Sequence, residues 1–246
     1  MDARVDGALK AAFPDLDFLR LLQLADSTLP IGSLAHSFGL ETLVAREILD
    51  VRNLSDFLRG FLEEAGAMEA VFCRAAFRLV ASASAGVFPR EDWMRLNCRL
   101  SALKPARESR EASTTLGENF LRCVMGLRRS AVLDEVLAAG RDRLRGTGIH
   151  QCAAFGLAAG ALGLEEDISV LAFLHQQTAA LVSACQRLLP LGQTVASRIL
   201  WDLKPVMTEV ASRSAAIEID DVCCFTPLLD CGAMEHPALT TRLFVS

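Results

Sequence analysis

The feature that most constrains the fold is a stripe of apolar residues that begins at Leu54 and recurs every three or four positions. This spacing matches the 3.6-residue turn of an α-helix, so the side chains share one helix face. The stripe therefore predicts one long amphipathic helix packed on a core. Its members are Leu54, Phe57, Leu58, Phe61, Leu62, Ala65, Met68, Val71, Phe72, Ala75, Ala76 and Leu79.

Proline, glycine and capping residues divide the rest of the chain into further helical segments. Helices are predicted after Pro89, from Ala106 to about Leu127, from Ser130 to Arg145, from His150 to Leu162, from Asp167 to Leu189, after Pro190, and from Pro205 to about Ile217. The predicted helix over residues 150–162 is almost wholly Ala, Gly, Leu and Phe. It is therefore predicted to be a central helix that is buried on most sides.

No run of alternating polar and apolar residues is long enough for a sheet. The chain is therefore predicted to be all-α, a single globular domain over residues 1–246 with about nine or ten packed helices. Residues 1–14 are predicted to be flexible. Residues 219–246 lack a helical stripe and are predicted to form an irregular tail that packs on the body or on a partner.

Composition and charge exclude several functional classes. The net charge of -5 argues against a nucleic-acid surface, which needs clustered Lys and Arg. No signal peptide or membrane span is recognised, so a soluble, cytoplasmic protein without a membrane or nucleic-acid partner is predicted. The eight cysteines fit buried free thiols better than a disulfide framework in a chain of 246 residues.

Motifs for catalysis are missing from the sequence. There is no Gly-x-Ser-x-Gly nucleophile turn and no phosphate-binding Gly-x-x-x-x-Gly-Lys-Ser/Thr loop. His36 and Ser37 are adjacent, which in a helix splays their side chains by about 100 degrees. The residues themselves therefore give no support for catalysis and, by this motif, none for nucleotide binding.

The run Leu29-Pro-Ile-Gly-Ser-Leu-Ala-His-Ser-Phe-Gly-Leu-Glu41 is predicted to be a Pro-Gly break that opens a helix capped by Ser33. A glycine inside a helix costs about 1 kcal/mol relative to alanine, so these residues do not serve helix stability. They are interpreted as a contact surface. On that interpretation, Gly39→Leu should spare the fold and weaken partner binding.

Cys223, Cys224, Cys231 and His236 are the candidate metal ligands. Zinc sites usually bring ligands in closely spaced pairs such as Cys-x-x-Cys, whereas these residues are adjacent, seven apart and five apart. The spacing argues against structural zinc. A looser or transient nickel site that uses one or two of these groups stays open, because thiolate and imidazole both suit nickel.

Two other polar motifs have structural explanations. The segment 104–113 begins a helix, and its Arg107 and Glu111 are four residues apart, which is typical of a solvated first turn. The segment 188–194 is another Pro-Gly break, in which the amide of Gln193 is predicted to satisfy backbone groups at a helix corner.

These motifs together resemble one family. The run 29–41 follows Leu21-Leu-Gln-Leu-Ala-Asp-Ser-Thr28 and is similar to the signature of the urease accessory protein UreF family. Three more patterns occur in the family's order and at similar separations. They are Arg107-Glu-Ser-Arg-Glu-Ala-Ser113, Leu188-Leu-Pro-Leu-Gly-Gln-Thr194 with Arg198, and Pro227-Leu-Leu-Asp-Cys-Gly-Ala-Met-Glu-His236 with Thr241-Arg-Leu-Phe244.

The resemblance implies an all-helical, non-catalytic urease maturation factor that is not an enzyme, forms a homodimer and binds no cofactor stably. Such a protein joins UreD, also called UreH, and the GTPase UreG to apo-urease, regulates the GTPase and supports nickel insertion, with nickel handled by the complex. The partner-binding residues then include Pro30, Gly32, His36, Ser37, Gly39, Glu41, Gln193 and Arg242. The alternative is a nickel-binding delivery protein that uses the four C-terminal Cys and His residues directly.

The chain departs from the family pattern at three places. The family often has Phe-Ser-Tyr where this chain has Leu34, Ala35 and His36, and often has a basic residue at the position of Glu235. An aromatic residue is common in the family where this chain has the pair 239–240. Because the chain has no tyrosine, contacts that need a phenolic hydroxyl must be made in another way.

Overall fold

Helices form the regular secondary structure throughout the residues that the computed structural model describes, which are 15–82, 87–140 and 148–246. In chain order the α-helices are α1 (Asp15–Leu24), α2 (Leu40–Ala45), α3 (Leu54–Phe61), α4 (Ala67–Ala81), α5 (Arg90–Ala102), α6 (Arg107–Leu127), α7 (Ala131–Gly140), α8 (Gln151–Ala161), α9 (Glu166–Leu188), α10 (Gln193–Asp202), α11 (Lys204–Ser214) and α12 (Pro227–Glu235). Short 3₁₀ turns cover Ser33–Ala35 and His236–Ala238.

The predicted all-α class is confirmed. Helices α3 and α4 are joined by a π-helical turn, Leu62–Gly66, so the apolar stripe that begins at Leu54 does form one continuous helical rod. With that rod counted once and the six-residue α2 set aside, the described ranges contain ten helices. The predicted flexibility of residues 1–14, and the end of the predicted helix beyond residue 140, lie outside the described residues.

Helix α8 lies at the centre of the core, as its composition predicts. Phe155 stacks on Phe120 of α6, with ring centroids 5.3 Å apart, and meets the tilted ring of Phe173 of α9 at 5.6 Å. The most extensive contact of helix α8 is with α4. There a Cβ on Gly156 would lie only 1.9 Å from the backbone oxygen of Cys73. The small residues of α8 therefore bring two helix backbones into direct contact.

Helix α9 is long and apolar enough to cross a membrane by length and composition, with 56% of its most apolar window buried. A central helix of a packed domain passes the same test. In this fold α9 contacts α4, α8 and α11. Its Gln176 side chain also donates to the backbone oxygen of Leu24, 3.0 Å away, and so ties α1 to the core.

The segment 219–246 is less irregular than predicted, because residues 227–235 form helix α12. Thr226 and Pro227 begin this helix, and it packs on α2 and α6. At the contact with α2, a Cβ on Gly232 would lie 2.8 Å from the backbone oxygen of Gly39. The tail therefore packs on the body of its own chain, and it does so through a second close approach of backbones.

Candidate functional site

The loop 29–41 is not the start of one continuous helix, which corrects the sequence-based prediction. After the 3₁₀ turn the backbone is extended at His36 (φ -120°, ψ 132°) and left-handed at Phe38 (φ 51°) and Gly39 (φ 91°). Left-handed residues end a right-handed helical path, so α2 begins only at Leu40. The hydroxyl of Ser33 caps no helix and donates instead to the backbone oxygen of Ser27, 3.3 Å away.

The last residues of the chain lie against this loop. We call residues 239–246 the strap. Its Val245 amide donates to the backbone oxygen of Ala35 at 2.8 Å, and the Ser37 amide donates to the backbone oxygen of Ser246 at 2.5 Å. The Nδ1 atom of His36 is 2.7 Å from the hydroxyl of Ser246. Two segments about 200 residues apart in sequence thus pair side by side.

Glu41 is the main anchor of the strap. Its carboxylate is buried and accepts the amides of Leu243 at 2.6 Å and Phe244 at 3.1 Å. It also lies 3.0 Å from Nε2 of His236. Burial by itself raises the pKa of Glu41, but these amide bonds and the contact with His236 outweigh it and hold the pKa below the ordinary value. Glu41 therefore stays ionised and holds the strap to α2.

Glu108 supplies a second anchor from the first turn of α6. Its Oε2 atom is 2.8 Å from Nδ1 of His236, and its Oε1 atom is 3.8 Å from a guanidinium nitrogen of Arg242. His236 is fully buried between the two carboxylates. The motif 107–113 is therefore more than a solvated first turn, because Glu108 joins α6 to the tail.

Arg187, in the last turn of α9, contacts both the loop 29–41 and the strap. Its role was not predicted from the sequence. Its guanidinium donates to the backbone oxygen of Leu34 at 2.7 Å and lies 4.3 Å from the ring centroid of Phe244. Both contacts join residues more than 50 positions apart. A basic residue in a last helical turn is common, so no local pattern distinguishes Arg187.

The predicted contact residues fall into three groups. His36, Ser37, Glu41 and Arg242 meet at the strap through the bonds described above, and Gly39 lies beside them against α12. Pro30 and Gly32 are exposed at the start of the loop. Gln193 is separate: it is the exposed first residue of α10, at the predicted corner between α9 and α10, and its place in a contact surface stays a prediction.

Gly39 is in a position that no larger residue fits. A Cβ there would lie 2.7 Å from the backbone oxygen of Leu229 and 2.8 Å from the backbone nitrogen of Ala233. Backbone atoms of a helix cannot move aside as a side-chain tip can. The expectation that Gly39→Leu spares the fold is therefore wrong, because this substitution would force α12 away from α2.

The four candidate metal ligands do not come together as one set. Cys223 and Cys231 are exposed, and Cys224 is half-buried with its sulfur 3.9 Å from the Thr226 hydroxyl. Both ring nitrogens of His236 already face carboxylates. Within the ranges that the structure describes, no group of three or more His, Cys, Asp and Glu side chains is placed to hold a metal ion.

A cavity with a mainly apolar lining and several polar groups lies beneath the loop, and His36 and Phe38 are among its lining residues. Lys104 also lines the cavity and is paired with Glu69, which accepts a second bond from Gln177. Burial by itself lowers the pKa of Lys104, but the charge of Glu69, its hydrogen bond and smaller contributions from nearby thiols together raise it above the ordinary value. The side-chain oxygen of Gln177 is buried without a protein partner, which is suited to water in the cavity.

Comparison with protein families adds the decisive observation. The sequence model of the family described as UreF matches residues 48–204, which is more than half of the chain. The chain belongs to the UreF family. The loop 29–41 and the strap lie on either side of the matched segment, and the fold brings these two flanks together.

Individual relatives within the UreF family match almost the whole chain. The urease accessory protein UreF of Rhodopseudomonas palustris (strain BisA53) is 34% identical over 252 residues, covering 100% of this chain and 99% of the relative. The urease accessory protein UreF of Corynebacterium glutamicum (strain R) is 32% identical over 234 residues, which cover 94% of this chain and 99% of the relative. The urease accessory protein UreF of Geobacillus kaustophilus (strain HTA426) is 29% identical, and the match again covers 94% of this chain and 99% of the relative.

Proposed function

We propose that the protein is a non-catalytic maturation factor for urease that acts as a helical scaffold. In this role it joins UreD, also called UreH, and the GTPase UreG to apo-urease. Membership of the UreF family and the names of relatives that match nearly the whole chain support a role in urease maturation. The partners are proposed from the family resemblance.

The observation that carries the proposal is the composite surface built by the loop 29–41 and the strap. Along the strap, Phe244 and Ser246 are buried, whereas Leu243 and Val245 are exposed. Leu34 of the loop is exposed as well, and its backbone oxygen is held by Arg187. Apolar side chains that are held outward on a bonded backbone are typical of a protein-binding surface.

The same proposal includes the remaining steps of maturation. The scaffold regulates the GTPase and supports nickel insertion, and it binds no cofactor stably because nickel is handled by the complex. It works in the cytoplasm as a homodimer. The charge of -5 supports protein partners over nucleic acid, and the lack of a gathered ligand set among the described residues favours the scaffold over direct delivery of nickel.

The test replaces one exposed leucine of the strap. We expect Leu243→Asp to reduce co-purification of UreD or UreG at least tenfold, because an interfacial carboxylate loses apolar burial and must be desolvated. The measurement is retrieval of partners by the tagged chain after co-expression, together with urease activity in the same cells.

Leu127→Asp is the matched control, because Leu127 at the end of α6 is 54% exposed and Leu243 is 53% exposed. Circular dichroism checks that both variants are folded. Equal retrieval of partners by the two variants would contradict the assignment of this surface. A folded wild-type chain that retrieves neither UreD nor UreG would contradict the proposed function itself.

A further inference from the structure

The cavity beneath the loop contains two glutamine side chains whose hydrogen-bonding capacity is not used in full. Gln176 and Gln177 are neighbours on α9, and both line the cavity. The side-chain oxygen of each is buried and accepts no hydrogen bond from the residues that the structure describes. Buried polar groups in folded proteins are rarely left without a partner, because an unmet acceptor costs free energy. Both oxygens therefore need a donor from outside this part of the chain.

The nitrogen atoms of the two amides fix which end of each is free. Nε2 of Gln176 donates to the backbone oxygens of Leu24 at 3.0 Å and Asp26 at 3.5 Å. Nε2 of Gln177 donates to the carboxylate of Glu69. Turning either amide over would place its oxygen against these acceptors and would lose the bonds. The unpaired atoms are therefore oxygens, and a complementary molecule has to donate N–H or O–H groups to them.

The charges of the cavity favour a neutral molecule. Glu69 is buried and is already paired with Lys104, and Asp230 accepts the hydroxyl of Thr226 at 3.1 Å. An anion would face both carboxylates, and a cation would have to compete with Lys104 for Glu69. Because a buried charge without a partner of its own is costly, neither class of ion suits this site.

The size and the lining of the cavity suit a small organic molecule. The volume is about 70 Å³, measured at the centres of water-sized molecules. One water needs roughly 10–15 Å³ on this measure, so the space accommodates about five waters or one molecule of about five non-hydrogen atoms. Apolar side chains supply much of the lining, among them Phe61, Met68, Leu116 and Leu181. A mainly apolar lining with a few polar groups is typical of small-molecule sites.

We propose that this cavity binds a small neutral primary amide, whose NH₂ group donates to the oxygens of Gln176 and Gln177 and whose short alkyl group packs on the apolar lining. The two N–H bonds of a primary amide provide one donor for each glutamine oxygen. The ammonium of Lys104 has three N–H donors and gives one to Glu69, so the carbonyl oxygen of the ligand can accept another.

The ligand would contact three parts of the molecule at once. Phe38 of the loop and Leu229 of α12 line the cavity together with the glutamines of α9. Binding needs no partner protein and breaks no covalent bond. The proposal therefore concerns the chain alone and goes beyond the proposed scaffold function.

The test is a titration of the full chain, labelled with ¹³C at its methionine methyl groups, with propionamide. Met68 lines the cavity, whereas Met207 of α11 is buried outside the lining and is the internal reference. We expect the Met68 signal, assigned by its loss in Met68→Leu, to shift to saturation while the Met207 signal stays unchanged. Propionate and propylammonium are of similar size but charged, and each should bind at least about tenfold more weakly.

Ala180→Leu tests the location of the site, with Ala179→Leu as its matched control. Both alanines are half-buried on α9, but of the two only Ala180 lines the cavity. Leucine at position 180 should fill the space and abolish the shift of Met68, whereas leucine at position 179 should preserve it. Circular dichroism checks that both variants are folded, and if Ala180→Leu is not, the comparison of the three probes on the wild type decides.

Three results would overturn the proposal. With no saturable shift of Met68 in propionamide, the cavity holds water only. Equal affinity for propionamide, propionate and propylammonium would mean that the glutamine oxygens do not select the ligand. An unchanged titration in folded Ala180→Leu would place the binding outside the cavity.

Discussion

Replacing Gly156 by alanine is expected to lower the free energy of unfolding by about 3 kcal/mol or more. The added Cβ would lie 1.9 Å from the backbone oxygen of Cys73 and 2.7 Å from its carbonyl carbon. Both helices would have to separate along the most extensive contact in the fold, that between α4 and α8. Because a domain is stable by only about 5–15 kcal/mol, urea unfolding followed by circular dichroism measures this loss readily.

Gly60→Ala is the matched control. Gly60 is also inside a helix, but a Cβ there meets no atom within 4 Å. Alanine is the better helix former by about 1 kcal/mol, so this variant should be as stable as the wild type or slightly more stable. If the two substitutions destabilise the protein equally, the close approach of α4 and α8 at Gly156 is not the cause of the loss of stability.

Replacing Glu41 by glutamine is expected to undock the strap while the helical core stays folded. The neutral amide loses the charge-assisted bonds to Leu243, Phe244 and His236, and it leaves the buried ring of His236 beside a group of altered charge. A hydrogen bond to a charged group contributes about 1.5–3 kcal/mol, and the neutral amide weakens or loses such bonds. We expect the protection of the Leu243 and Phe244 amides to fall on the order of a hundredfold.

Glu111→Gln provides the same chemical change at a solvated site. Glu111 pairs with Arg107 at 2.8 Å, and both side chains are mostly exposed. Such a pair contributes only a few tenths of a kcal/mol. Strap protection should therefore be unchanged in Glu111→Gln. A similar loss in both variants would mean that Glu41 is not the anchor of the strap.

At low pH the wild type and Glu41→Gln should protect the Leu243 and Phe244 amides against exchange to the same extent. The folded pKa of Glu41 is below its ordinary value of 4.5, so its ionisation stabilises the docked strap above that value. The stabilisation is lost as the pH falls through the lowered folded value. Protection measured along a descending pH series should converge for the two proteins, and a constant difference would contradict the assigned ionisation.

Helix positions could be predicted because apolar spacing is a local signal. The stripe from Leu54 and the small residues of 150–162 each indicate a helix that the structure contains. The interruption at Phe38 and Gly39 was missed, since φ values of 51° and 91° depend on contacts with α12 and the strap. Helix α12 was missed because nine residues with a proline start give a weak periodic pattern.

The candidate site was predictable only in part. The composition of the loop 29–41 indicated a contact surface, and its similarity to the UreF family gave the membership that the comparisons confirm. The strap is held from three separate helices, by Glu41 of α2, Glu108 of α6 and Arg187 of α9. Their pairing depends on contacts between residues that are far apart in sequence, and such contacts leave no trace in local spacing.

The measurement that tests the central claim most directly is hydrogen–deuterium exchange of the full chain, alone and in its co-expressed complex with UreD. If the loop 29–41 and the strap form one partner-binding surface, peptides from both segments should gain protection together on binding. Helix α7 (Ala131–Gly140), which lies outside this surface, should not change. Protection of α7 or other helices with the loop and the strap unchanged would contradict the account.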